Sequence, residues 1–487
     1  MESLELPLTH REPVGRFARE TLARELNEGQ LAAVVHPPRP LLVVAGAGSG
    51  KTRVITYRLA RLVASGASPY AMLAVTFTNK AAAEMRERVS RLINPTGGGV
   101  SGIWIGTFHA TSARLLRRYG EAVGLRKDFV IYDDDDQRRL MTRVLADLKV
   151  PERLFPVRQV LSVIDRAKNQ GIDAAGFQPN DYFDDVVGKA YKVYEERLAA
   201  ANATDFGGLL LAALKLCHPD SPVAAELAQR FDHVLVDEFQ DTNSVQYRMV
   251  RFLSNRTQSI TVVGDEDQSI YKWRGADIRN ILDFERDHPG AAVVKLEQNY
   301  RSSGNILQAA NAIIARNTER RPKRLFTAST AGAPLVVFEG ETERDEAEFV
   351  ATTIDEALRD TVAPRDVAVF YRTNGQSRVL EEALRAHNLP YVVVGGTRFY
   401  DRAEVKDLIA YLRVIQNPDD GVGLLRIINT PPRGIGDATV ERVAALAAAR
   451  GLSMTRALEL AVNGDPIPDE PLLRNPPEPL REEMLGA

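Results

Sequence analysis

Short apolar runs alternate with helical patterns in two stretches of the chain. Between about residues 26 and 129 the runs are LLVV, MLAVTF and IWIGTF, and between 207 and 290 they include HVLV and SITVV. Strands that alternate with helical segments favour a parallel sheet covered by helices. We therefore predict that 26–129 and 207–290 together form one α/β domain.

The other segments depart from this pattern. Residues 130–206 are mostly helical in pattern, which predicts a helical subdomain inserted into the first domain. The remaining predicted segments are an N-terminal extension at 1–25, a second α/β domain at 291–393 with strands at AAVVKLEQNYR, APLVVFEG and DVAVFYRTN, a helical accessory domain at 394–462, and a disordered Pro-rich tail at 463–487.

The composition is that of an ordinary globular protein. The chain has 487 residues, of which 44% are hydrophobic and 26% are charged. This length suits about two to four domains. No apolar run reaches the length of a membrane span, the first residues lack an apolar signal region, and the single Cys217 excludes an internal disulfide. We expect a cytoplasmic protein without a membrane partner.

Net charge is −3, which argues against binding nucleic acid by bulk electrostatics, so any such surface must be local. Two basic clusters exist, at Arg114, Arg117 and Arg118 and at Arg320, Arg321, Lys323 and Arg324. Each cluster alone is better explained as a solvated helix face. The acidic run from Asp133 to Asp136 is predicted to stabilise a helix N-terminus rather than to bind a metal.

The segment AGAGSGKT at 45–52 follows the apolar run LLVV and precedes the helical pattern RVITYRLARLV. A glycine-rich turn between a strand and a helix is the context of a phosphate-binding loop. Its glycines let backbone N–H groups converge on phosphate oxygens. Lys51 then reaches the β- and γ-phosphates, and Thr52 binds magnesium. The strict pattern has Gly in place of Ala45, a position that faces away from the phosphates.

The segment VDEFQDTN at 236–243 follows a β-type run, so Asp237 and Glu238 lie at the carboxyl end of a strand. Open parallel sheets bind ligands there. Asp237 suits a magnesium ligand, and Glu238 suits the base that takes a proton from the attacking water. An Asp-Glu pair after a strand is more often a solvated turn, and the upstream phosphate loop reverses that preference. Together the two segments predict a magnesium-nucleotide hydrolysis site.

Seven motifs follow one another along the chain: LNEGQLAAV, AGAGSGKT, VTFTNKAAAEMRERV, GTFHA, VDEFQDTN, VVGDEDQSIYKWRGA and LEQNYRSS. In this order they resemble the motifs of the UvrD/Rep/PcrA-type DNA helicases of superfamily 1, over about residues 26–460. The resemblance implies an α/β fold of P-loop NTPase (RecA-like) motor domains with parallel sheets and inserted helical subdomains.

The resemblance also implies nucleotide-binding roles. Gln30 would hydrogen-bond both edges of an adenine, and Tyr300 would stack on it. Gln268 would contact the γ-phosphate and the attacking water, and Arg301 would act as an arginine finger. The implied catalytic residues are Lys51, Glu238, Gln268 and Arg301, and the further nucleotide contacts are Ala45, Gly46, Ala47, Gly48, Ser49, Gly50, Thr52 and Arg53.

The segment SIYKWRG places Tyr271, Trp273 and Arg274 shortly after Gln268. Aromatic faces can stack on bases without reading sequence, and an arginine can pair with phosphate. An aromatic pair at spacing two is more often one face of a strand, but the position beside Gln268 favours a DNA role. The resemblance implies further single-strand contacts at Thr76, Phe77, Asn79, Thr107 and His109. For His109 alone, a structural histidine would be the default.

The turn and helix at 433–449 could present backbone N–H groups to a duplex phosphate, and a helix entry capped by Asp437 explains them nearly as well. Members of the family continue beyond this length, and no segment resembles their later motifs. We therefore expect an incomplete second motor domain and a partial accessory domain. Residues beyond about 300 are then expected to be mobile or prone to aggregation.

The resemblance implies an ATP-dependent helicase or translocase that moves 3′ to 5′ on single-stranded DNA, uses Mg²⁺ with ATP, and acts at single-strand/double-strand junctions in repair or replication. The incomplete chain is expected to hydrolyse ATP slowly and not to unwind. The main alternative is a single-strand DNA-binding ATP switch. A helicase subunit of a recombination nuclease is a second alternative, although no nuclease domain is recognised, and SIYKWRG and NYRSS disfavour a P-loop kinase.

Overall fold

The computed structural model describes residues 11–96, 101–318, 320–360, 362–394 and 402–463. Residues 1–10 of the predicted N-terminal extension and nearly all of the predicted tail (464–487) lie outside these ranges. The described parts of 1–332 and 411–487 form one compact unit, and the described parts of 333–410 form another.

Eight strands occur in the described residues: β1 Leu41–Ala45, β2 Met72–Thr76, β3 Trp104–Thr107, β4 Val130–Tyr132, β5 Ala203–Asp205, β6 His233–Val236, β7 Ile260–Gly264 and β8 Ala292–Leu296. Six of them form a sheet in the order β3-β2-β6-β7-β1-β8. All neighbouring pairs in this sheet are parallel. The six carboxyl ends therefore lie at one edge, where open α/β sheets bind ligands.

The helices, within the same described residues, are α1 Arg19–Glu25, α2 Glu28–Val35, α3 Lys51–Ala64, α4 Asn79–Ile93, α5 Phe108–Tyr119, α6 Asp134–Asp147, α7 Val157–Gln170, α8 Tyr182–Ala200, α9 Phe206–Leu216, α10 Ala224–Ala228, α11 Ser244–Ser254, α12 Arg279–Leu282, α13 Phe284–Asp287, α14 Gly304–Ile314, α15 Glu343–Asp360, α16 Ser377–Ala386, α17 Ala403–Gln416, α18 Gly421–Ile427, α19 Asp437–Arg450 and α20 Met454–Val462. None of them is both long and apolar enough to cross a membrane.

Two apolar cores cover the two faces of the six-stranded sheet. Leu41 and Val43 of β1 belong to the core that includes α3 and α4, whereas Leu42 and Val44 belong to the core that includes α5, α9 and α11. Successive side chains of a strand point to opposite faces, so a strand covered on both sides is apolar at every position. This explains the uninterrupted run LLVV and confirms the predicted α/β class.

The predicted strands of the first domain are confirmed, but the predicted domain boundary at 290/291 cuts through its sheet. Strand β8, which comes from the run AAVVKLEQNYR, pairs in parallel with β1 from Leu41↔Ala292 to Ala45↔Leu296. It therefore belongs to the first sheet rather than opening a second α/β domain. Its backbone hydrogen-bonds to the edge of β1 that faces away from β7. The apolar pattern alone did not reveal this pairing.

Helices α6, α7 and α8 form a separate core between β4 and β5. Those two short strands pair in parallel, from Val130↔Ala203 to Tyr132↔Asp205, and close the base of this helical insertion. Asp133 caps α6, because its side chain accepts hydrogen bonds from the N–H groups of Asp135 and Asp136. The acidic run therefore stabilises a helix N-terminus, as predicted.

The smaller unit packs α15 and α16 around Ala351, Leu384 and Leu389. The runs APLVVFEG and DVAVFYRTN were predicted to be strands, and that prediction is wrong for this structure. Within the described residues of this unit neither run pairs with a strand, and Val337 and Phe370 are 94% and 92% exposed. An apolar run becomes a strand only where a neighbouring strand accepts its backbone hydrogen bonds.

Helices α18, α19 and α20 follow, and the loop before α18 packs against the helical insertion. Asp420 is fully buried and accepts a hydrogen bond from the Tyr132 hydroxyl at 2.9 Å. Arg413 bridges Asp136 and Asp420 at 2.7 and 3.0 Å. The helix predicted within 433–449 is present as α19, while the side chain of Asp437 lies outside the described set, so its predicted capping role stays a prediction.

Candidate active site

The carboxyl edge of the six-stranded sheet carries two groups of candidate residues. Apart from Gln30 in α2, the predicted nucleotide residues lie at or after the ends of β1, β6, β7 and β8, and the predicted DNA contacts lie at or after the ends of β2, β3 and β7. In the strand order, β2 and β3 lie together at one end of the sheet, whereas β1 and β8 lie at the other. The loop after β7 carries residues of both groups, so it is the covalent link between them.

The segment between β1 and α3 has the backbone of a phosphate-binding loop. Gly48 and Gly50 have φ angles of 67° and 93°, in the left-handed region that favours glycine. A Cβ at Gly46 would collide with the side chain of Leu325. The Ser49 hydroxyl donates to the Gly46 carbonyl at 2.7 Å and holds the turn closed. Lys51 begins α3 directly after this turn, so the helix N-terminus faces the loop.

Lys51 and Glu238 form an ion pair at the centre of the site. The Lys51 ammonium lies 2.7 Å from Glu238 Oε2, and the two side chains are 10% and 32% exposed. Glu238 has a φ angle of 50°, a strained conformation for a residue with a side chain. Such strain is common at functional sites, where the surrounding structure holds the residue in an otherwise unfavourable conformation. The predicted phosphate ligand and the predicted base are therefore brought together.

Asp237 is buried beside this pair. Burial, and secondly the charge of Glu238, raises the pKa of Asp237 to about 7. A cation stabilises the charged form of a buried carboxylate, so Asp237 fits the predicted role of a magnesium ligand. Thr52, the other predicted ligand, lies in the first turn of α3. No group of three or more His, Cys, Asp or Glu side chains in the described ranges could hold a metal ion alone. A nucleotide-bound magnesium needs fewer, since phosphates and waters complete its coordination.

Gln240 is a site residue that the sequence reasoning missed. Its Nε2 donates to Glu238 Oε2 at 2.9 Å, and its Oε1 accepts from the Asp265 N–H at 2.9 Å. Gln268, in turn, donates through Nε2 to Asp265 Oδ2 at 2.5 Å. These contacts connect the predicted base to the predicted γ-phosphate sensor. Gln240 lies within the VDEFQDTN motif, but spacing alone could not reveal its two partners.

Gln30 lies against the phosphate loop. It is buried, donates to the Ser49 carbonyl at 2.9 Å, and its Oε1 accepts from the Asn27 N–H at 3.3 Å. The amide nitrogen and oxygen of Gln30 thus both have hydrogen-bond partners within the protein. Pairing with adenine requires the amide to give up these two hydrogen bonds. The Tyr300 ring is 55% exposed, and its hydroxyl accepts from Asn27 Nδ2 at 2.8 Å. Gln30 and Tyr300 are therefore both tied to the N-terminus of α2.

Asn299 is a second residue that the sequence reasoning missed, although it belongs to the NYR motif. It is buried, and its Nδ2 donates to the Ala47 carbonyl at 2.6 Å. Its Oδ1 accepts from the Arg301 N–H at 2.8 Å. The Tyr300 N–H also donates to the Gly48 carbonyl at 2.9 Å. Asn299 therefore fixes the start of the Arg301 segment on the phosphate loop, while the Arg301 side chain is exposed.

Arg53 does not point toward the phosphate loop. Its Nη2 donates to the Glu25 carbonyl at 2.9 Å, and its guanidinium lies 5.3 Å from the centre of the Tyr57 ring. Ala45 ends β1 and is buried, in agreement with the expectation that this position faces away from the phosphates.

The predicted DNA aromatics lie side by side. The Phe77 and Tyr271 rings are 4.7 Å apart, the Tyr271 and Trp273 rings 6.3 Å apart, and the Arg274 guanidinium lies 4.8 Å from the Trp273 ring. Residues Lys272–Arg274 form a short 3₁₀ turn, so the aromatic pair is not one face of a strand. Trp273 is 70% exposed, which leaves its ring face accessible.

His109 lies near Arg274 and contacts an aromatic residue absent from the predicted set. Its ring meets the Phe206 ring edge to face at 5.7 Å, and Phe206 is 44% exposed. Burial, and secondly the charge of Arg274, lowers the pKa of His109, so the ring is neutral at physiological pH. Phe206 was missed because a lone aromatic at a helix start carries no signal in the sequence.

The other predicted DNA residues have more ordinary positions. The Thr107 hydroxyl caps α5 by accepting from the Ala110 N–H at 3.1 Å. Thr76 ends β2 with a buried hydroxyl that has no hydrogen-bond partner within the described ranges. Asn79 is exposed at the start of α4.

The two basic clusters differ in exposure: Arg114 and Arg118 are exposed on α5, as predicted for a solvated helix face, whereas the second cluster lies in no helix. The guanidinium groups of Arg114 and Arg117 each lie 3.8 Å from an aromatic ring, of Trp104 and Phe129 respectively. Lys323 of the second cluster is buried in ion pairs. The first cluster therefore remains a solvated helix face with ring contacts, whereas the second is anchored in the protein through Lys323.

Comparisons with known proteins agree with this geometry. The family described as "UvrD/REP helicase N-terminal domain" matches residues 26–289, and "UvrD-like helicase C-terminal domain" matches residues 294–465. The chain is 45% identical over 449 residues to "ATP-dependent DNA helicase PcrA" of Leuconostoc citreum, which covers 90% of this chain and 59% of that protein. It is also 45% identical over 440 residues to the protein of the same name from Staphylococcus aureus strain Mu50, covering 90% of this chain and 60% of that one. The chain thus spans about 60% of the length of these curated relatives.

Proposed function

The chain belongs to the UvrD/REP helicase family, and from that premise we propose that it is an ATP-dependent DNA helicase that moves 3′ to 5′ on single-stranded DNA. The observation that carries the proposal is the ion pair between Lys51 and Glu238, which joins a phosphate ligand and a base at the sheet edge that also carries the aromatic row. The relatives named ATP-dependent DNA helicases support the same activity.

Nucleotide binding starts at the phosphate loop. The backbone N–H groups around Gly48 and Gly50, the N-terminus of α3 and the Lys51 ammonium together provide positive charge for the β- and γ-phosphates. When phosphate oxygens become the partners of Lys51, the Glu238 carboxylate is released from its ion pair. Asp237 and Thr52 would hold Mg²⁺, which neutralises negative charge on the phosphates when it is bound.

Hydrolysis then uses the released carboxylate. Glu238 takes a proton from the attacking water, while Gln240 keeps its carboxylate oriented through the 2.9 Å hydrogen bond to Oε2. Arg301 would stabilise the charge that develops on the transferring phosphoryl group, as arginine fingers do. Asn299 supports this role, because it fixes the backbone of the Arg301 segment on the phosphate loop.

The DNA surface that we propose is the row of aromatic rings. Bases of a single strand would stack on Phe77, Tyr271 and Trp273, while Arg274 would pair with a phosphate. Stacking on aromatic faces is tolerant of sequence, as a motor that moves along DNA requires. Phe206 contacts His109, which lies near Arg274. The loop after β7 carries both Gln268 and Trp273, so a movement of Gln268 on hydrolysis would be passed to the stacked base.

Unwinding of tailed duplexes tests this function. The protein is incubated with ATP, Mg²⁺ and a fluorescent duplex that carries a single-stranded tail at either its 3′ or its 5′ end. The sequence leads us to expect slow ATP hydrolysis and no unwinding by this chain alone. DNA-stimulated ATP hydrolysis together with strand separation that requires the 3′ tail would support the proposed helicase and overturn that expectation. ATP hydrolysis stimulated by DNA but without strand separation on either substrate would instead support the single-strand DNA-binding switch. Preference for junctions and a cytoplasmic location remain predictions.

A further inference from the structure

An ion cluster surrounds the side chain of Lys323. Its ammonium lies 2.8 Å from Asp265, 3.3 Å from Glu266 and 2.9 Å from Asp267. Arg320 adds two hydrogen bonds to Asp267, at 2.7 and 2.8 Å. The side chains of Lys323, Asp265 and Glu266 are no more than 2% exposed. Two cations from one segment therefore hold three successive carboxylates of one loop inside the protein.

The loop that Lys323 and Arg320 hold is the one that carries Gln268. Asp265 shares its carboxylate between two partners, since Oδ1 lies 2.8 Å from Lys323 and Oδ2 accepts from Gln268 Nε2 at 2.5 Å. The Asp265 N–H also donates to Gln240, which contacts Glu238. The position of the Gln268 amide therefore depends on a carboxylate that Lys323 holds.

The segment that carries Arg320 and Lys323 is hydrogen-bonded to strand β8 and to the residues after it. The Phe326 N–H donates to the Glu297 carbonyl at 3.0 Å, and the Asn299 N–H donates to the Phe326 carbonyl at 2.7 Å. The Lys295 ammonium donates to the Pro322 carbonyl at 2.9 Å. Asn299 is the residue that fixes the Arg301 backbone on the phosphate loop. A continuous series of contacts thus connects Lys323 to the segments that carry Gln268 and Arg301.

A contribution to stability alone explains this cluster poorly. Taking charges out of water has a free-energy cost that largely offsets their mutual attraction, so a buried ion cluster contributes little net stability. Burial by itself would lower the pKa of Lys323, but the charges and hydrogen bonds of Asp265 and Asp267 outweigh it and raise the pKa. Lys323 therefore stays charged at neutral pH. Its burial also excludes a direct contact with DNA.

We propose that Lys323 and Arg320 are positioning residues for nucleotide hydrolysis, which hold the Gln268 loop against the segment that carries Arg301. The two side chains that act on the γ-phosphate then keep a fixed spacing. This inference rests on the proposed function, because it assigns roles to Gln268 and Arg301 in ATP hydrolysis.

The test compares Lys323→Met with a matched control, Arg413→Met. Arg413 also bridges two carboxylates in a largely buried cluster, but those carboxylates, Asp136 and Asp420, do not contact the nucleotide residues. In single-strand-stimulated ATP hydrolysis we expect Lys323→Met to lower kcat by about 10- to 100-fold, because small misplacement of catalytic groups has large effects. KM for ATP and DNA affinity should change by less than about threefold, because the phosphate loop and the aromatic row are intact.

Two further variants separate positioning from folding. Lys323→Arg keeps the charge and should recover much of the lost kcat. Arg320→Gln removes the two bonds to Asp267 and the bond that Arg320 Nη2 donates to the Lys323 carbonyl at 3.0 Å. It should lower kcat in a chain as stable as wild type, even if Lys323→Met does not fold. Unchanged kcat in both Lys323→Met and Arg320→Gln would overturn the inference. The inference would also be overturned if kcat fell in the same proportion to the loss of melting temperature in Lys323→Met and in Arg413→Met, because activity would then depend on stability alone.

Tryptophan fluorescence gives a readout that does not need hydrolysis. The chain has two tryptophans, and in a Trp104→Phe background the remaining Trp273 reports on the loop that begins at Asp265. A non-hydrolysable ATP analogue should change this fluorescence when Lys323 is present and not in Lys323→Met, at saturating analogue in both. Equal changes in both chains would overturn the inference. A wild-type chain that binds the analogue but never hydrolyses ATP would instead overturn the proposed function.

Discussion

Replacing Trp273 by alanine separates a DNA-stacking role from a role in the core. The indole is 70% exposed, and its ring contacts are the Tyr271 ring at 6.3 Å and the Arg274 guanidinium at 4.8 Å. Truncating a fully buried tryptophan costs roughly 3–5 kcal/mol of stability. Because less than a third of this side chain is covered, we expect a loss of only about 1 kcal/mol in the free energy of unfolding.

The expected effect on DNA is larger. Stacking on one base contributes about 1–3 kcal/mol by alanine substitution. Trp273→Ala should therefore weaken single-strand binding by about 5- to 150-fold, with nucleotide affinity close to wild type. Fluorescence anisotropy with a labelled oligonucleotide at fixed salt measures this change, and thermal melting of the same samples measures stability.

Trp104 is a buried tryptophan, and its replacement gives a reference for the stability lost when a core tryptophan is truncated. It is 6% exposed, meets the Phe231 ring at 5.3 Å and lies under the Arg114 guanidinium at 3.8 Å. Trp104→Ala should therefore lose roughly 3–5 kcal/mol of stability. If Trp273→Ala lost as much stability as Trp104→Ala and kept its DNA affinity, the stacking role of Trp273 would be refuted.

Two other predictions concern single side chains. Lys51→Ala should weaken binding of a fluorescent ATP analogue and abolish hydrolysis, because Lys51 is the side-chain cation of the phosphate loop; equal affinity in both chains would contradict this assignment. Burial raises the pKa of the Cys217 thiol to about 12, so at pH 8 only about one thiol in 10⁴ is ionised and reaction with a thiol reagent should be slow until the chain is unfolded in denaturant. Rapid reaction of the native chain would show that this core is open.

The local patterns predicted the first sheet well. LLVV, HVLV and SITVV are rich in apolar residues because each strand is covered on both faces, and this property is visible in the residues themselves. Pairing between distant segments is not visible in this way. Strand β8 joins β1 across about 250 residues, so the boundary predicted at 290/291 divides this sheet. Likewise, APLVVFEG has the composition of a strand, but a strand also needs a partner.

The candidate site shows the same division. Glycine turns, Lys51 and the Asp-Glu pair could be predicted because their chemistry follows from residue type and local spacing. Gln240, Asn299 and Lys323 could not, since each acts through partners far along the chain. The cluster that contains Lys323 was interpreted as a solvated helix face, and only the folded arrangement reveals that its ammonium is surrounded by three carboxylates.

The most direct test of the central claim compares ATP turnover in wild type and Glu238→Gln. The amide keeps the size of the side chain but cannot take a proton from water. We predict that both chains bind ATP and Mg²⁺ with similar affinity, and that Glu238→Gln lowers single-strand-stimulated hydrolysis by about 10²- to 10⁴-fold. Equal hydrolysis rates in the two chains, at equal ATP occupancy, would contradict the assignment of this sheet edge as the site of nucleotide hydrolysis.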